Sequence, residues 1–288
     1  MIGFLGLGRM GEPMALNLVK SGTPLIAWSR SSATYALITE AGGQVALSAD
    51  EVFDRARIVI MMLANAPAID EVVGRGTARF EHAVASHILV HMGTTSPAYS
   101  SGLAADVRAA GGEYAECPVS GSRKPAEGAQ LVGMLAGSRN ILDEVRPVLA
   151  PMLLKSVMCG DVPNALRMKL AVNLFLITQV VGLAESFHFA QRHGLDLGAF
   201  QDILDSGPMA SSVSRVKLAK LVDDDFAVQA GLRDVHYNSR LISDAARESG
   251  LSLPLMDAST ALFRLAENLG HGEDDMIAVI RALNLSSR

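Results

Sequence analysis

The chain has little of what marks a secreted scaffold, a nucleic-acid binder or a membrane channel. Its 288 residues include two cysteines, one tryptophan and only 5% aromatic residues. Cys117 and Cys159 show no metal-ligand spacing and read as free thiols of a reducing cytoplasm, which excludes a disulfide framework and gives no metal site. There is no basic excess: 25 Lys and Arg stand against 30 Asp and Glu, for a formal charge of −5, and the isoelectric point is about 5.8. That excludes the basic stripe of a nucleic-acid binder and leaves room only for a local basic pocket. The longest charge-free apolar stretch of the second half, Leu170 to Ala184, contains Asn173, Thr178 and Gln179. It falls short of the roughly 18–20 apolar residues that a bilayer span requires. No basic segment precedes the first apolar run, so no signal peptide is expected, and no internal repeat or low-complexity linker is found. The expectation is a cytoplasmic protein with no membrane and no nucleic-acid partner.

What the chain does have is apolar bulk. It is 49% hydrophobic with a mean hydropathy of +0.27, so a large core built from Ala, Leu, Val, Ile and Met is expected, in two lobes of unequal size. Residues 2–5 form a short apolar run that breaks at Gly6, and a helical pattern from Met10 to Ser21 ends at Gly22 as at a C-terminal cap. Strands are expected at Leu25–Trp28, Ile58–Leu63 and Ile88–Met92, with a helix at Tyr35–Ala41. Apolar segments near Tyr114, at Val132–Leu135 and at Ser156–Met158 continue the series. Strand and helix in alternation predict a doubly wound, mainly parallel sheet with helices on both faces. After about Gly160 the strand-like runs stop. Residues 164–193 read as one long helix, apolar around much of its circumference and so expected in an interface between domains or subunits. The reading is an α/β Rossmann domain, residues 1–161, then an all-α domain, residues 162–288.

Gly6, Gly8 and Gly11 make Gly-x-Gly-x-x-Gly directly after the first strand, with Arg9 and Met10 in the same turn. Gly6 permits the tight turn, Gly8 lets a pyrophosphate approach the backbone, and Gly11 lets the helix pack close to the sheet. The helix N-terminus then offers N–H groups and a partial positive charge to the phosphates. The bland alternative is a glycine-rich turn in an unrelated α/β protein. The second strand speaks to the cofactor. An NAD-binding unit usually places an acid about 20 residues beyond the motif, whereas here Arg30 stands 19 positions past Gly11 and the first acid is Glu40. Arg30 suits a 2′-phosphate, with Ser29 and Ser31 adding hydroxyls, which favours NADP(H). A solvated surface arginine is the alternative.

Four separated blocks resemble the β-hydroxyacid dehydrogenases: the opening run from Gly3 through Gly11 to Leu18, Glu116-Cys117-Pro118-Val119-Ser120-Gly121-Ser122, Met168-Lys169-Leu170-Ala171-Val172-Asn173, and Arg233-Asp234. Within that family, Ser120 to Glu127 with Gln130-Leu131 is similar to the glyoxylate/succinic semialdehyde reductases. The resemblance implies a Rossmann domain, a long interdomain helix, a homodimer or homotetramer, and reduction of a small carbonyl acid with NADPH. It also implies roles. Lys169 would be the catalytic lysine, protonating the alkoxide in reduction and taking the hydroxyl proton in oxidation. Burial and the nicotinamide charge are expected to depress its pKa. Asn173, four residues on and so on the same helix face, would hold the substrate or the lysine. Ser120, Gly121 and Ser122 would bind the substrate carboxylate, Thr94 and Met62-Leu63 would lie beside the cofactor, and Arg233 would reach cofactor or substrate. Without these blocks, Lys169 and Asn173 would read as a polar strip and Arg123 and Lys124 as loop charges. Asp223-Asp224-Asp225 reads as a solvated turn, and His91, His188 and His236 receive no role.

Some positions depart from the pattern. His91 and Gly93 stand where members commonly have Asp and Ser, Gly128-Ala129 replaces Asp-Gly, Pro163 replaces a glycine, and Arg233 replaces Lys. Competing readings are a 3-hydroxyisobutyrate-type dehydrogenase, an imine reductase, and a non-catalytic NADP-binding protein. Arg30 counts against the first, and Lys169 against the other two.

Overall fold

A computed structural model describes residues 1–286. The chain divides into two compact units, Met1–Lys169 and Leu170–Arg288. In the first unit, six short strands form one sheet: β1 (Ile2–Leu5), β2 (Leu25–Trp28), β3 (Gln44–Val45), β4 (Ile58–Met61), β5 (Ile88–His91) and β6 (Glu113–Glu116). Their order is β3-β2-β1-β4-β5-β6 and every pairing is parallel, which is the Rossmann arrangement. Side-chain alternation explains why the central strands read as continuous apolar runs. Phe4, Ile58, Ile60, Ile88, Val90 and Ala115 enter one core, while Leu5, Val59, Met61, Leu89 and Tyr114 enter a second core. Both faces of the sheet are thus covered, as parallel sheets require.

The expected helix after the first strand is present as Gly11–Lys20, and Gly22 follows its end at φ +82°. Several elements had no expectation attached, among them the two-residue strand β3 and the helix Ala49–Arg55, whose Ser48 side chain caps Glu51 N. The expectation of a single mainly parallel sheet needs one correction. Residues 119–158 form a separate three-stranded sheet of β7 (Val119–Ser120), β8 (Leu131–Leu135) and β9 (Leu153–Met158). There β7 pairs antiparallel with β8, and β8 pairs parallel with β9. Apolar runs disclose a strand but not its partner, so the sequence pattern could not separate the two sheets.

The long helix runs Asn164–Arg192, 29 residues. Pro163 stands just ahead of it, and its carbonyl accepts the Arg167 N–H at 3.1 Å. Counting charge-free runs understated this helix. By length and composition it is apolar enough to cross a membrane, with a mean hydropathy of 1.6 in an 18-residue window that is 44% buried. Ile177, Val180, Val181, Ala184 and Phe187 on this helix enter the core of the second unit, against residues such as Leu218, Leu232, Ile242, Met256, Phe263 and Ile277. That unit is completed by helices Leu197–Ser206, Ser212–Val222, Leu232–Glu248, Pro254–Asn268 and Ile280–Ser286.

One ion pair organises the second unit's interior. Lys217 Nζ donates to Asp275 Oδ1 at 2.6 Å and to Oδ2 at 2.9 Å, with the two side chains 7% and 0% exposed. Asp275 also accepts from the backbone N–H groups of Gln229, Ala230 and Ile277. Asp223–Asp225 are exposed at a turn, as expected, and two of them also pair: Asp225 with the buried Lys220 at 2.7 Å and Asp224 with Arg281. Removing one partner of a buried pair leaves the other charge uncompensated. Replacing Asp275 by Asn is therefore expected to cost about 3–5 kcal/mol, seen as a clear drop in melting temperature of the full chain. A melting curve that does not move would show that the pair carries no net stability.

Candidate active site at the carboxyl edge of the sheet

The glycine motif has two structural demands and one that the protein alone does not explain. Gly6 leaves β1 at φ +102°, and its N–H donates to Trp28 O at 2.9 Å. A Cβ there would lie 2.3 Å from the Met62 carbonyl oxygen. At Gly11 a Cβ would lie 1.9 Å from the Gly6 carbonyl oxygen. Both positions therefore accept glycine only. Gly8 differs: it is exposed, and nothing lies within 4 Å of where its Cβ would be. A turn built only for folding would not need glycine there, whereas a pyrophosphate seated on the backbone would. The helix that follows has no side-chain cap at Met10; its Glu12 N–H donates to Gly8 O at 3.0 Å and Pro13 has no N–H, so in its first turn the Gly11 N–H is the one left to face an anion. These residues fit a dinucleotide phosphate. Arg9 is exposed and Met10 half-buried beside them.

At the end of β2, Tyr35 supplies a restraint that the sequence did not disclose. Its hydroxyl accepts the Ser29 N–H at 3.1 Å and donates to Ser29 O at 2.8 Å. The turn is thereby pinned with Arg30 and Ser31 exposed. Ser31 Oγ accepts weakly from Ala33 N at 3.4 Å, and Arg30 has no partner among the described residues. Met62 and Leu63 follow β4, and Thr94 follows β5, all half-buried. With Gly6 after β1, these residues lie at the same carboxyl edge, flanking the β1/β4 junction where the strand order reverses. Ligands of open α/β sheets bind there.

The segment Ser120–Ser122 is tied to the dinucleotide loop's helix. Gly121 sits at φ +133°, and a Cβ there would meet Leu131 Cδ2 at 2.6 Å. Ser122 precedes the short helix Arg123–Glu127 without spending its side chain on a cap. Arg123 is no loose loop charge: it pairs with Glu12 at 2.9 Å and with Glu127 at 2.7 Å. Asn17 Nδ2 donates to Ala126 O at 2.7 Å. Helix Gly11–Lys20 thus holds the short helix Arg123–Glu127, directly after Ser122, at two points. Ala129 lies at φ +54°, a left-handed conformation that costs a residue with a Cβ roughly 1 kcal/mol.

Lys169 is 8% exposed and Asn173 5%. They lie four residues apart on the long helix, and Lys169 has no ion-pair or hydrogen-bond partner among the described residues. Burial takes its pKa down from 10.5 to about 8. Glu116, quoted above only within a sequence block, anchors this helix. Its Oε2 accepts the N–H groups of Ala165 and Leu166 at 3.1 and 3.2 Å, one turn ahead of the lysine. Little in the sequence signalled it: Glu116 is the last residue of the strand Glu-Tyr-Ala-Glu, which has an acid at each end. Arg233, in the second unit, is exposed and paired with Glu267 and Glu273. Among the described residues no cluster of three or more His, Cys, Asp or Glu side chains is placed to hold a metal ion.

With this geometry in place, known proteins supply the class. Residues 1–160 match the family model described as the NAD binding domain of 6-phosphogluconate dehydrogenase. Residues 164–283 match that described as NAD-binding of NADP-dependent 3-hydroxyisobutyrate dehydrogenase. The chain is 30% identical over 285 residues to glyoxylate/succinic semialdehyde reductase 1 of Arabidopsis thaliana, covering 99% of each chain. It is 29% identical over 281 residues to 2-(hydroxymethyl)glutarate dehydrogenase of Eubacterium barkeri, covering 97% of this chain and 93% of that one. A solved structure of Mycobacterium tuberculosis 3-hydroxyisobutyrate dehydrogenase with L-serine superposes with a TM-score of 0.86 at 26% identity, over 98% of both chains. The chain belongs to the β-hydroxyacid dehydrogenase family, a class of NAD(P)-dependent oxidoreductases acting on CH–OH groups.

The glycines separate by role in a way that can be measured. Gly8→Val is expected to keep the melting temperature while weakening dinucleotide binding at least tenfold, a loss of about 1.4 kcal/mol. Gly11→Val is expected to yield little folded protein. Equal stability losses in the two variants would mean that Gly8 serves the fold alone.

Proposed function

We propose that the protein is an NADPH-dependent reductase of small aldehyde or keto acids, of glyoxylate or succinic semialdehyde type, with Lys169 as general acid. The observation that carries this reading is a buried lysine with no counter-charge, whose pKa is brought to about 8. A buried unpaired lysine opposes folding and is expected where chemistry uses it. Bound NADPH supplies the hydride. The chain's own residues do the rest. Lys169 donates a proton from Nζ to the oxygen as charge develops on it, and in the reverse direction its neutral amine accepts the hydroxyl proton. Asn173, one turn on, orients substrate or lysine through its amide. Ser120 and Ser122 hydroxyls and the Gly121 N–H bind the substrate carboxylate. Gly6, Gly8, Arg9, Met10 and Gly11 cradle the pyrophosphate, with Thr94, Met62 and Leu63 beside the nicotinamide.

The NADP preference rests on Arg30: it is exposed and unpartnered, and the first acid after it is Glu40. Arg233 would exchange exposed, solvent-screened ion pairs with Glu267 and Glu273 to reach a ligand. We read the protein as cytoplasmic, binding neither nucleic acid nor membrane, with the long helix in a core. A homodimer or homotetramer is supported by Met168, Val172 and Phe175, which are exposed at i, i+4 and i+7 on that helix.

The test is oxidation of NADPH and NADH by purified protein against glyoxylate, succinic semialdehyde and methylmalonate semialdehyde in parallel. Turnover of one of the first two with NADPH well ahead is expected. Arg30→Ala should raise the KM for NADPH about 10- to 100-fold, as loss of charge-assisted hydrogen bonds implies, with little effect on NADH. Lys169→Ala should abolish turnover while still binding NADPH. Full turnover in that variant would refute the assignment of the lysine, and NADH preference would refute that of Arg30.

A further inference from the structure

Four polar side chains inside the first unit have no part in the chemistry above, yet they form one unbroken chain of hydrogen bonds. His91 Nδ1 lies 2.8 Å from the Tyr114 hydroxyl, which lies 2.8 Å from Ser100 Oγ. Ser100 Oγ donates to Glu116 Oε1 at 2.5 Å, and the other carboxylate oxygen holds Ala165 and Leu166. His91, Ser100 and Glu116 are fully buried and Tyr114 is 1% exposed. The chain runs from the end of β5, three residues before Thr94, to the first turn of the helix that carries Lys169.

Proton counting gives it a direction. An ionised carboxylate only accepts, so Ser100 spends its one proton on Glu116. The Ser100 oxygen then accepts from Tyr114, and the Tyr114 oxygen accepts from His91. His91 is thereby left with its proton on Nδ1 and a bare lone pair on Nε2. Burial lowers the imidazole's pKa to about 4, so the second proton is not taken up at neutral pH. Burial raises the pKa of Glu116, against the pull of Ser100, Leu166, Ala165 and Arg167. His91 Nε2 has no partner among the described residues. It lies 3.2 Å from the point where a side chain at Gly93 would begin, and that point is 2.7 Å from Leu63 O. A side chain at 93 would crowd both, the Leu63 carbonyl most.

We propose that His91, Tyr114, Ser100 and Glu116 are positioning residues of a single relay, in which ionised Glu116 both anchors the lysine helix and sets the tautomer of His91 under the Thr94 loop. The catalytic half of the proposal rests on the Lys169 assignment; the tautomer half does not. Glu116→Gln tests both. To keep the helix N–H bonds the new carboxamide must turn its oxygen to Ala165 and Leu166 and its NH2 to Ser100. That reverses every donor along the chain and moves the His91 proton to Nε2. Proton–nitrogen NMR of the histidine-labelled full chain, which needs no turnover, is expected to show Nδ1–H in the wild type and Nε2–H in the variant. Ser100→Ala, which frees Tyr114 to donate to His91, should give the same switch if Glu116→Gln does not fold. In the kinetics, kcat should fall about 10- to 100-fold, the scale of an ångström-level misplacement, with KM changed less than about twofold. An Nε2–H tautomer in the wild type, or no switch in either variant, overturns the relay. A switch with kcat unchanged overturns its positioning role.

Discussion

Helix Gly11–Lys20 starts where it does because two glycines face each other across the end of β1. With the Gly6 carbonyl oxygen 1.9 Å from where a Gly11 Cβ would be, no other residue lets the helix approach the sheet so closely. The rest of the first unit's site follows from that approach. It places the uncapped helix end above the β1/β4 junction, beside Met62. It also presents Glu12 and Asn17 to the short helix Arg123–Glu127, which follows Ser122 directly, so that this segment is held by the same element that begins at the glycine turn. The segments proposed for cofactor and substrate are thus positioned from one helix, the kind of fixed geometry that hydride transfer demands.

Two buried lysines show how packing separates structure from chemistry. Lys217 meets an aspartate that also accepts three backbone N–H groups, so its charge has a partner, although burial still takes its pKa below the usual lysine value. Lys169 is buried to a similar degree with no such partner. The first sits in a closed network of partners; the second lacks one, and burial opposes its charge.

How much of this could be read beforehand depended on how local the cause was. The central strands, the first helix and the long helix follow from runs and periods confined to their own residues, and they appear within a residue or two of where the pattern places them. Gly6, Gly8 and Gly11 were legible because a tight turn leaves a mark in consecutive positions. The second sheet was not, since pairing of β7 with β8 is a choice among partners that hydrophobicity does not encode. Glu116, Tyr35 and the Glu12–Arg123 pair were missed for the same reason: each acts across 6 to 111 positions, and a single sequence carries no record of what meets in space. That the His91 imidazole lies against Gly93 is likewise a fact of the fold that spacing did not disclose.

The central claim is that Lys169 exchanges the reacting proton, and the pH dependence of kcat measured in both directions on one preparation tests it most directly. Reduction needs the ammonium and oxidation the amine. With the pKa of the lysine brought to about 8, kcat for reduction should fall and kcat for oxidation should rise as pH passes upward through that value. Parallel profiles in the two directions, or a crossover that persists in Lys169→Met, would contradict the account.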